Sequence, residues 1–455
     1  MALAASTLIN LNLRLIASAV SSNAFGIPLI YDTENVLTGG TLGKVHSYST
    51  LADMTADGYH PWHKAYKLAK EMLSQSPKVP LFKVGCITPV SVAADLTALE
   101  TLDPEWYGFN VTSRVDQDVK DCSAWAESTA ANRHVFWAET NSTVGTGGAD
   151  ILSYLFNAAR TRTLCAAQAG VAQVKVITIP TAFASDASVT LDLNGAEVGP
   201  VAYDTNTNTT LTNLATALAA TSAIATAVAN TTAKTITCTA ADPLVDLYFE
   251  NYAGGGATPT NAAYATTVES TIPLDSGILG RITPLGAGKV TVFGQTIAGA
   301  VPSVVSPTFW TNVSAQRGNI YTTIGGKRIV LDGTCSADVA VGAPLFADQI
   351  LGLDVLESRL YTALIGVLTP NDGTKLSYDD AGITAVVGAL LGAAQLSVND
   401  GYLKQFDPGN CVNAPVAANV PLEDRSQRIL NGIVANFQAT GAIQHLGSIT
   451  VNVAV

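Results

Sequence analysis

Charge is the first shortage in this sequence. Asp, Glu, Lys and Arg supply 13% of its 455 residues, about half the usual share. A chain with so little charge suits a protein that hides much of its surface inside an assembly. Basic residues are the scarcer kind, leaving a net charge of -12, and no run of Lys or Arg with interleaved aromatics occurs. Phosphate binding needs clustered basic side chains, so direct nucleic-acid binding is excluded as the main role. The six cysteines (Cys86, Cys122, Cys165, Cys238, Cys335, Cys411) form no Cys-x-x-Cys pair. Zinc clips and thioredoxin-like chemistry therefore have no support. Cys86 and Cys165 sit in apolar strand-like runs, where a buried free thiol is expected, and folding in a reducing compartment follows.

Long apolar runs are missing too. No stretch of about 18 uninterrupted apolar residues is present, so no integral membrane segment is expected. Leu8 to Ile16 is broken by Asn10, Asn12 and Arg14, which does not suit a signal peptide. The run from Ile383 to Leu396 is too short to span a bilayer and reads as a buried helix.

Motifs for catalysis are sparse. Gly145-Thr146-Gly147-Gly148 precedes a helix but lacks the Lys-Ser/Thr ending of a phosphate loop and the third glycine of a dinucleotide site. His60 and His63 fall on one side of a helical turn, yet a metal would need a further ligand that the local sequence does not offer. No G-x-S-x-G or H-E-x-x-H occurs. The residues nominate no catalytic, cofactor or metal site. An α/β enzyme stays open only because such a body can host many activities.

What is present is strand pattern at both ends. Ile9, Leu11, Leu13 and Leu15 alternate with polar residues, as do Ile449, Val451, Val453 and Val455 with Thr450, Asn452 and Ala454. A period of two marks a half-buried strand, and a strand cannot satisfy its backbone alone. Each end must join a sheet, its own or a neighbour's.

Between the ends, 455 residues at 48% hydrophobic content provide for two to four cored domains. The expected fold class is α/β and α+β multidomain. Residues 1–22 form an N-terminal arm. Residues 23–170 alternate strand and helix patterns, predicting an α/β layer around a partly parallel sheet. Residues 171–270 are rich in Thr and low in charge; with the Asn194-Gly195 hairpin signal they read as a small β-α-β insertion. Leu211, Leu214, Leu218, Ile224 and Val228 mark one or two helices there. Residues 271–313 are a return segment with a strand at Lys289 to Ile297. Residues 314–440 form a C-terminal α/β unit with long helices over Gln349 to Leu368 and Ile383 to Leu403. The turn Asn371-Asp372-Gly373 separates them, and Ser377-Tyr378-Asp379-Asp380 offers an N-cap to the second. Residues 441–455 form the C-terminal strand arm. Glu423, Asp424, Arg425 and Arg428 make the densest charged segment near the C-terminus, and inter-subunit ion pairs are the preferred reading.

Several segments follow one another along the chain: Tyr66 to Gly85 (YKLAKEMLSQSPKVPLFKVG), Trp106-Tyr107-Gly108-Phe109 with Val135-Phe136-Trp137-Ala138, Gly318-Asn319-Ile320-Tyr321 through Asp332-Gly333, Leu376 to Ile383 with the helix ending near Gly401, and Gly441-Ala442-Ile443. Their order resembles that of the contractile tail sheath proteins of bacteriophages, in particular a divergent branch of them. The resemblance implies a sheath of stacked six-subunit rings around a tail tube, without a cofactor. It implies N- and C-terminal arms that complete sheets in neighbouring subunits, a C-terminal region nearest the tube, and an outward-facing 171–270 insertion. The implied partners are further copies of the chain, the tube protein, and baseplate and tail terminator proteins. The implied place is the phage virion, after assembly in the host cytoplasm. Another tail or baseplate structural protein is the alternative.

Overall fold

The computed structural model describes residues 24–37, 43–128, 134–140, 150–168, 170–179, 183, 188–254, 262–303, 305–338, 345–369 and 375–442. Ile9, Leu11, Leu13 and Leu15 of the first arm and Ile449, Val451, Val453 and Val455 of the second lie outside these residues. So do Gly145 to Gly148 and the Asn371-Asp372-Gly373 turn.

The body begins with β1 (Leu29–Asp32), β2 (Lys44–Tyr48), α1 (Leu51–Ala56), α2 (Lys64–Ser74), β3 (Phe82–Cys86) and α3 (Val92–Leu102). β4 (Gly108–Val111), α4 (Asp116–Ala126), β5 (Val135–Thr140), α5 (Ile151–Asn157) and β6 (Thr163–Ala167) follow. The strands lie in the order β2-β3-β1-β4-β5-β6. All neighbours are parallel except β2, which pairs antiparallel with β3 at one edge. Every residue of β1, β3, β4, β5 and β6 is buried, as expected of a parallel sheet covered on both faces. The period of two then sorts the side chains. Ile30, Val84, Trp137 and Leu164 share one core with Leu68 and Met72 of α2, whereas Leu29, Phe109, Phe136 and Cys165 share the other with Leu96, Val119 and Leu152. Local chemistry sets the helix starts. Thr50 and Asp53 close a capping box on α1, Ser91 caps α3 and Asp150 caps α5.

After β6 the chain leaves the sheet. β7 (Val174–Thr178), β8 (Ser188–Leu193), β9 (Ala196–Ala202), α6 (Thr207–Ala219), β10 (Ile224–Asn230), β11 (Thr235–Ala240), β12 (Phe249–Gly254) and β13 (Ala263–Val268) build a unit with its own core. Two antiparallel sheets, β10-β11-β7-β13 and β12-β8-β9, enclose Leu211, Leu214 and Leu218 of α6. Asn194 and Gly195 both take positive φ in the β8–β9 turn, as their residue types favour. The unit is richer in strands than the β-α-β expectation. Ile224 and Val228, read as helical from their spacing of four, belong to β10. Four is also a multiple of the strand period, and β-branched Ile224, Thr226 and Val228 favour the strand.

The chain returns through α7 (Leu274–Ile282), which lies against α2. At Gly280 an added Cβ would stand 2.5 Å from the Met72 carbonyl oxygen, so the two helices cross this closely only because the residue is glycine. Lys289 to Ile297 is not a strand. Gly286, Gly288 and Gly294 take positive φ and fold the segment into successive turns. α8 (Pro307–Ala315) precedes a hairpin of β14 (Ile320–Ile324) and β15 (Lys327–Leu331). Asn319 bridges Ala166 in parallel, so the hairpin joins the free edge at β6. Its Tyr321 and Val330 enter one core of the body, Ile320 and Leu331 the other.

α9 (Ala347–Leu368) starts inside the body with Ala347, Ile350 and Leu351 and leaves it to meet α10 (Asp380–Asn399). Leu356, Leu360 and Leu364 pack there with Val386, Leu390 and Ala394. Asp379 caps α10 by accepting from the Gly382 N–H at 2.8 Å. The last described elements are β16 (Val412–Asn413), α11 (Leu422–Gln427) and β17 (Val434–Ala435).

Candidate assembly surfaces

β16 and β17 form a two-stranded antiparallel sheet with two residues in each strand. Val434 is 52% exposed, and Asn413 and Ala435 are also exposed. So short a ladder satisfies few of its own backbone groups and is marginal without further strands. The chain runs on from β17, and Leu403 bridges Ala439.

Between its two strands in sequence lies the predicted charge cluster. Glu423, Asp424 and Arg425 lie on α11, and Arg428 follows it in the left-handed conformation with φ 59°. Glu423, Arg425 and Arg428 are exposed. The structure brings the four together on one turn and its cap. Asp424 accepts from Asn431 Nδ2 at 3.1 Å, and the Tyr378 hydroxyl donates to the Ile429 carbonyl at 2.6 Å, tying the turn to the start of α10. Among the described residues none of the four makes an ion pair within the chain. Leu422 is 75% exposed and Val416 52%, so apolar surface adjoins the charges.

α10 is only half the buried helix its composition suggests. It is the one helix among the described residues long and apolar enough to cross a bilayer. One face packs on α9, while Thr384, Ala385, Gly388, Gly392 and Leu396 are exposed on the other. Cores cover one stripe of a helix, and Ala-rich sequence does not mark which stripe.

Ionisable residues that the sequence did not single out are buried where elements join. Arg114, after β4, donates from Nη2 to Asp275 Oδ1 at 2.9 Å and to Glu139 Oε2 at 3.5 Å. Glu139 also accepts from Gln168 Nε2 at 2.7 Å and from the Leu274 N–H at 2.9 Å. Burial pushes the Glu139 carboxyl up to about 8 against the pull of Arg114. Burial opposes the charge on Arg114, but Asp275 and Glu139 outweigh it and its pKa is raised. These residues stand beside the carboxyl ends of β4 and β5, the end of an open α/β sheet where ligands often bind. Here the space is filled, and the adjoining cavity of about 10 Å³ has room for one water.

Arg162, Asp354 and Tyr107 form a second buried set. Arg162 pairs with Asp354, and the Tyr107 hydroxyl donates to Asp354 Oδ2 at 2.5 Å. It fixes the root of α9 to the sheet. A third set holds the insertion to α2, where Lys67 Nζ reaches Asp246 Oδ1 and the Pro243 carbonyl, each at 2.7 Å, and Lys64 pairs with Asp242 at 3.0 Å. A cleft of about 590 Å³ opens beside that contact, lined by Trp62, His63, Lys64, Asn194, Glu197 and Asp242 among others. His63 accepts from the His60 N–H at 2.9 Å, and burial drags its ring down to about 4, leaving it neutral. Among the described residues no three His, Cys, Asp or Glu are placed to hold a metal. All six cysteines are buried free thiols.

No family model and no curated protein matches this sequence. Solved structures do match in fold. The chain is similar to the protein of the anti-feeding prophage helical sheath in its contracted state, with TM-score 0.54 and 10% identity over 98% of this chain and 97% of that one. It is also similar to the contracted sheath complex of PVC, an extracellular contractile injection system, with TM-score 0.53 and 8% identity over 97% and 96%. At such identities the likeness establishes a shared fold along nearly the whole chain.

Proposed function

We propose that this protein is the structural subunit of a bacteriophage contractile tail sheath. Subunits stack as six-membered rings around the tail tube, and their contraction drives the tube through the host envelope. The observation that carries the proposal is a fold shared along 98% of the chain with a helical contractile sheath. Three features fit it. The chain is poor in charge, its C-terminal charge cluster has no ion-pair partner within the described chain, and the minimal β16–β17 sheet suits completion by strands from neighbours. An added strand supplies main-chain hydrogen bonds and alternating side-chain pockets, and the arm residues at 9–15 and 449–455 have that pattern. Such a link lets subunits shift while remaining joined.

On this reading the region of α9, α10 and the β16–β17 sheet lies nearest the tube and the β7–β13 unit faces outward. Besides its own copies the partners are the tube, baseplate and terminator proteins, the subunit assembles in the host cytoplasm, and it works in the virion. Contraction needs no cofactor, because energy stored in the extended packing at assembly is released as each subunit adopts its neighbour's new arrangement. The test is negative-stain microscopy of the purified full chain at rising concentration. Hollow striated cylinders are expected, and particles that stay monomeric at every concentration would refute the proposal.

A further inference from the structure

The β7–β13 unit carries two sheets whose edges are treated in opposite ways. In the three-stranded sheet, edge strand β9 has Glu197 and Pro200, and edge strand β12 has Glu250 beside a bulge. Charge, proline and bulges are the usual means of stopping an edge from pairing with another chain. The edges of the four-stranded sheet lack the first two. Its edge strands, β10 (IATAVAN) and β13 (AYATTV), contain neither charge nor proline. Both are largely exposed, with Val228 at 63% and Val268 at 40%. Their irregularities, between Ile224 and Thr226 and between Thr266 and Val268, fall at the same end of the sheet. The remaining rows are regular.

Register makes the surface explicit. Val228, Thr237, Val176 and Ala265 form one row across the four strands, and Asn230, Thr235, Thr178 and Ala263 the next row on the same face. Neither row contains a charge that would repel a neighbour. Every pairing in the sheet is antiparallel. With four strands, β10 and β13 run in opposite directions. A second copy brought alongside by simple repetition therefore presents its β10 antiparallel to the first copy's β13, and the alternation continues unbroken. An odd number of strands would force a parallel junction.

We infer that β10 of one copy pairs head-to-tail with β13 of the next, joining the four-stranded sheets of successive subunits. This lateral contact is separate from the arms and the β16–β17 sheet. It draws on the self-assembly reading only in naming a second copy of this chain as the occupant. Head-to-tail contacts close into rings or wind into helices, according to the rotation between copies.

The test uses two full-length variants, Val228→Cys and Ala265→Cys, made separately, mixed under assembly conditions and mildly oxidised. The native thiols are buried, so the new ones report the contact. The expected result is a covalent dimer at least ten times more abundant in the mixture than with either variant alone. Self-linking of Val228→Cys alone would mean two-fold β10–β10 pairing and overturn the inference. Polymer without a disulfide in any mixture overturns it and leaves the sheath reading standing. Disulfide without polymer upholds the edge pairing and overturns the sheath reading, and absence of both overturns both. As a check on folding, Val228→Lys should raise the concentration needed for assembly about tenfold, and adding Ala265→Glu in the same chain should restore it by placing opposite charges across the junction.

Discussion

Replacing Glu139 by Gln isolates the buried network at the root of the insertion. The Glu139 carboxyl, ordinarily titrating near 4.5, is pushed up to about 8 by burial. In the unfolded chain it loses its proton near the ordinary value, whereas in the folded chain it keeps it until about 8. Between those limits the folded state binds more protons, so its contribution to stability is full in acid and falls as pH rises. The slope approaches about 1.4 kcal/mol per pH unit, and over the window the loss is several kcal/mol. Glu139→Gln keeps the shape, replaces one of the two oxygens that accept from Gln168 and Leu274 by an NH2 group that cannot accept, and removes the titration. The variant should be less stable than wild type at pH 5 by about 1–3 kcal/mol, and the gap should shrink or reverse by pH 8.5. Urea midpoints from pH 5 to 8.5, followed by tryptophan fluorescence, to which Trp137 on the same strand contributes, measure it. A gap that is constant with pH, or one that widens as pH rises, would refute the reasoning.

Three further outcomes are expected. Arg425→Ala with Arg428→Ala should reduce polymer yield while leaving the monomer's melting temperature within about 2 °C, because exposed charges contribute little to folding; sedimentation and calorimetry read the two separately. Deleting residues 449–455 should leave a folded, soluble chain that forms no long polymer, and full-length cylinders from the truncated chain would remove the terminal arm from the scheme. Gly352→Ala would drive a methyl group into the Tyr402 ring, costing about 1–3 kcal/mol or more, seen as a lower urea midpoint.

Much of the body was legible because its signals are local. Continuous apolar runs such as Val135 to Ala138 mark strands covered on both faces, and Asp379 three residues before Gly382 marks a helix start. Where helix and strand periods coincide, as at Ile224 and Val228, spacing misled and branching at Cβ decided. Lys289 to Ile297 has strand-like residues, but glycines at 286, 288 and 294 bend its path. The attachment of the β14–β15 hairpin to β6 joins residues more than 150 positions apart, and no local pattern announces it. The charge cluster was visible as composition, and that none of its members forms an ion pair among the described residues emerged only in three dimensions. The Arg114, Glu139 and Asp275 network left no trace in sequence, since each residue comes from a different element and none is near another in the chain.

One consequence follows from α9. Its 22 residues extend for about 33 Å, with the first turns embedded among sheet residues and the later ones gripped by α10. A stiff rod clamped at both ends carries a push from one layer to the other with little slack. Work done at the C-terminal surface would thus be felt by the parallel sheet as displacement of a whole block. Give must then reside at softer places, such as the cleft beside the insertion.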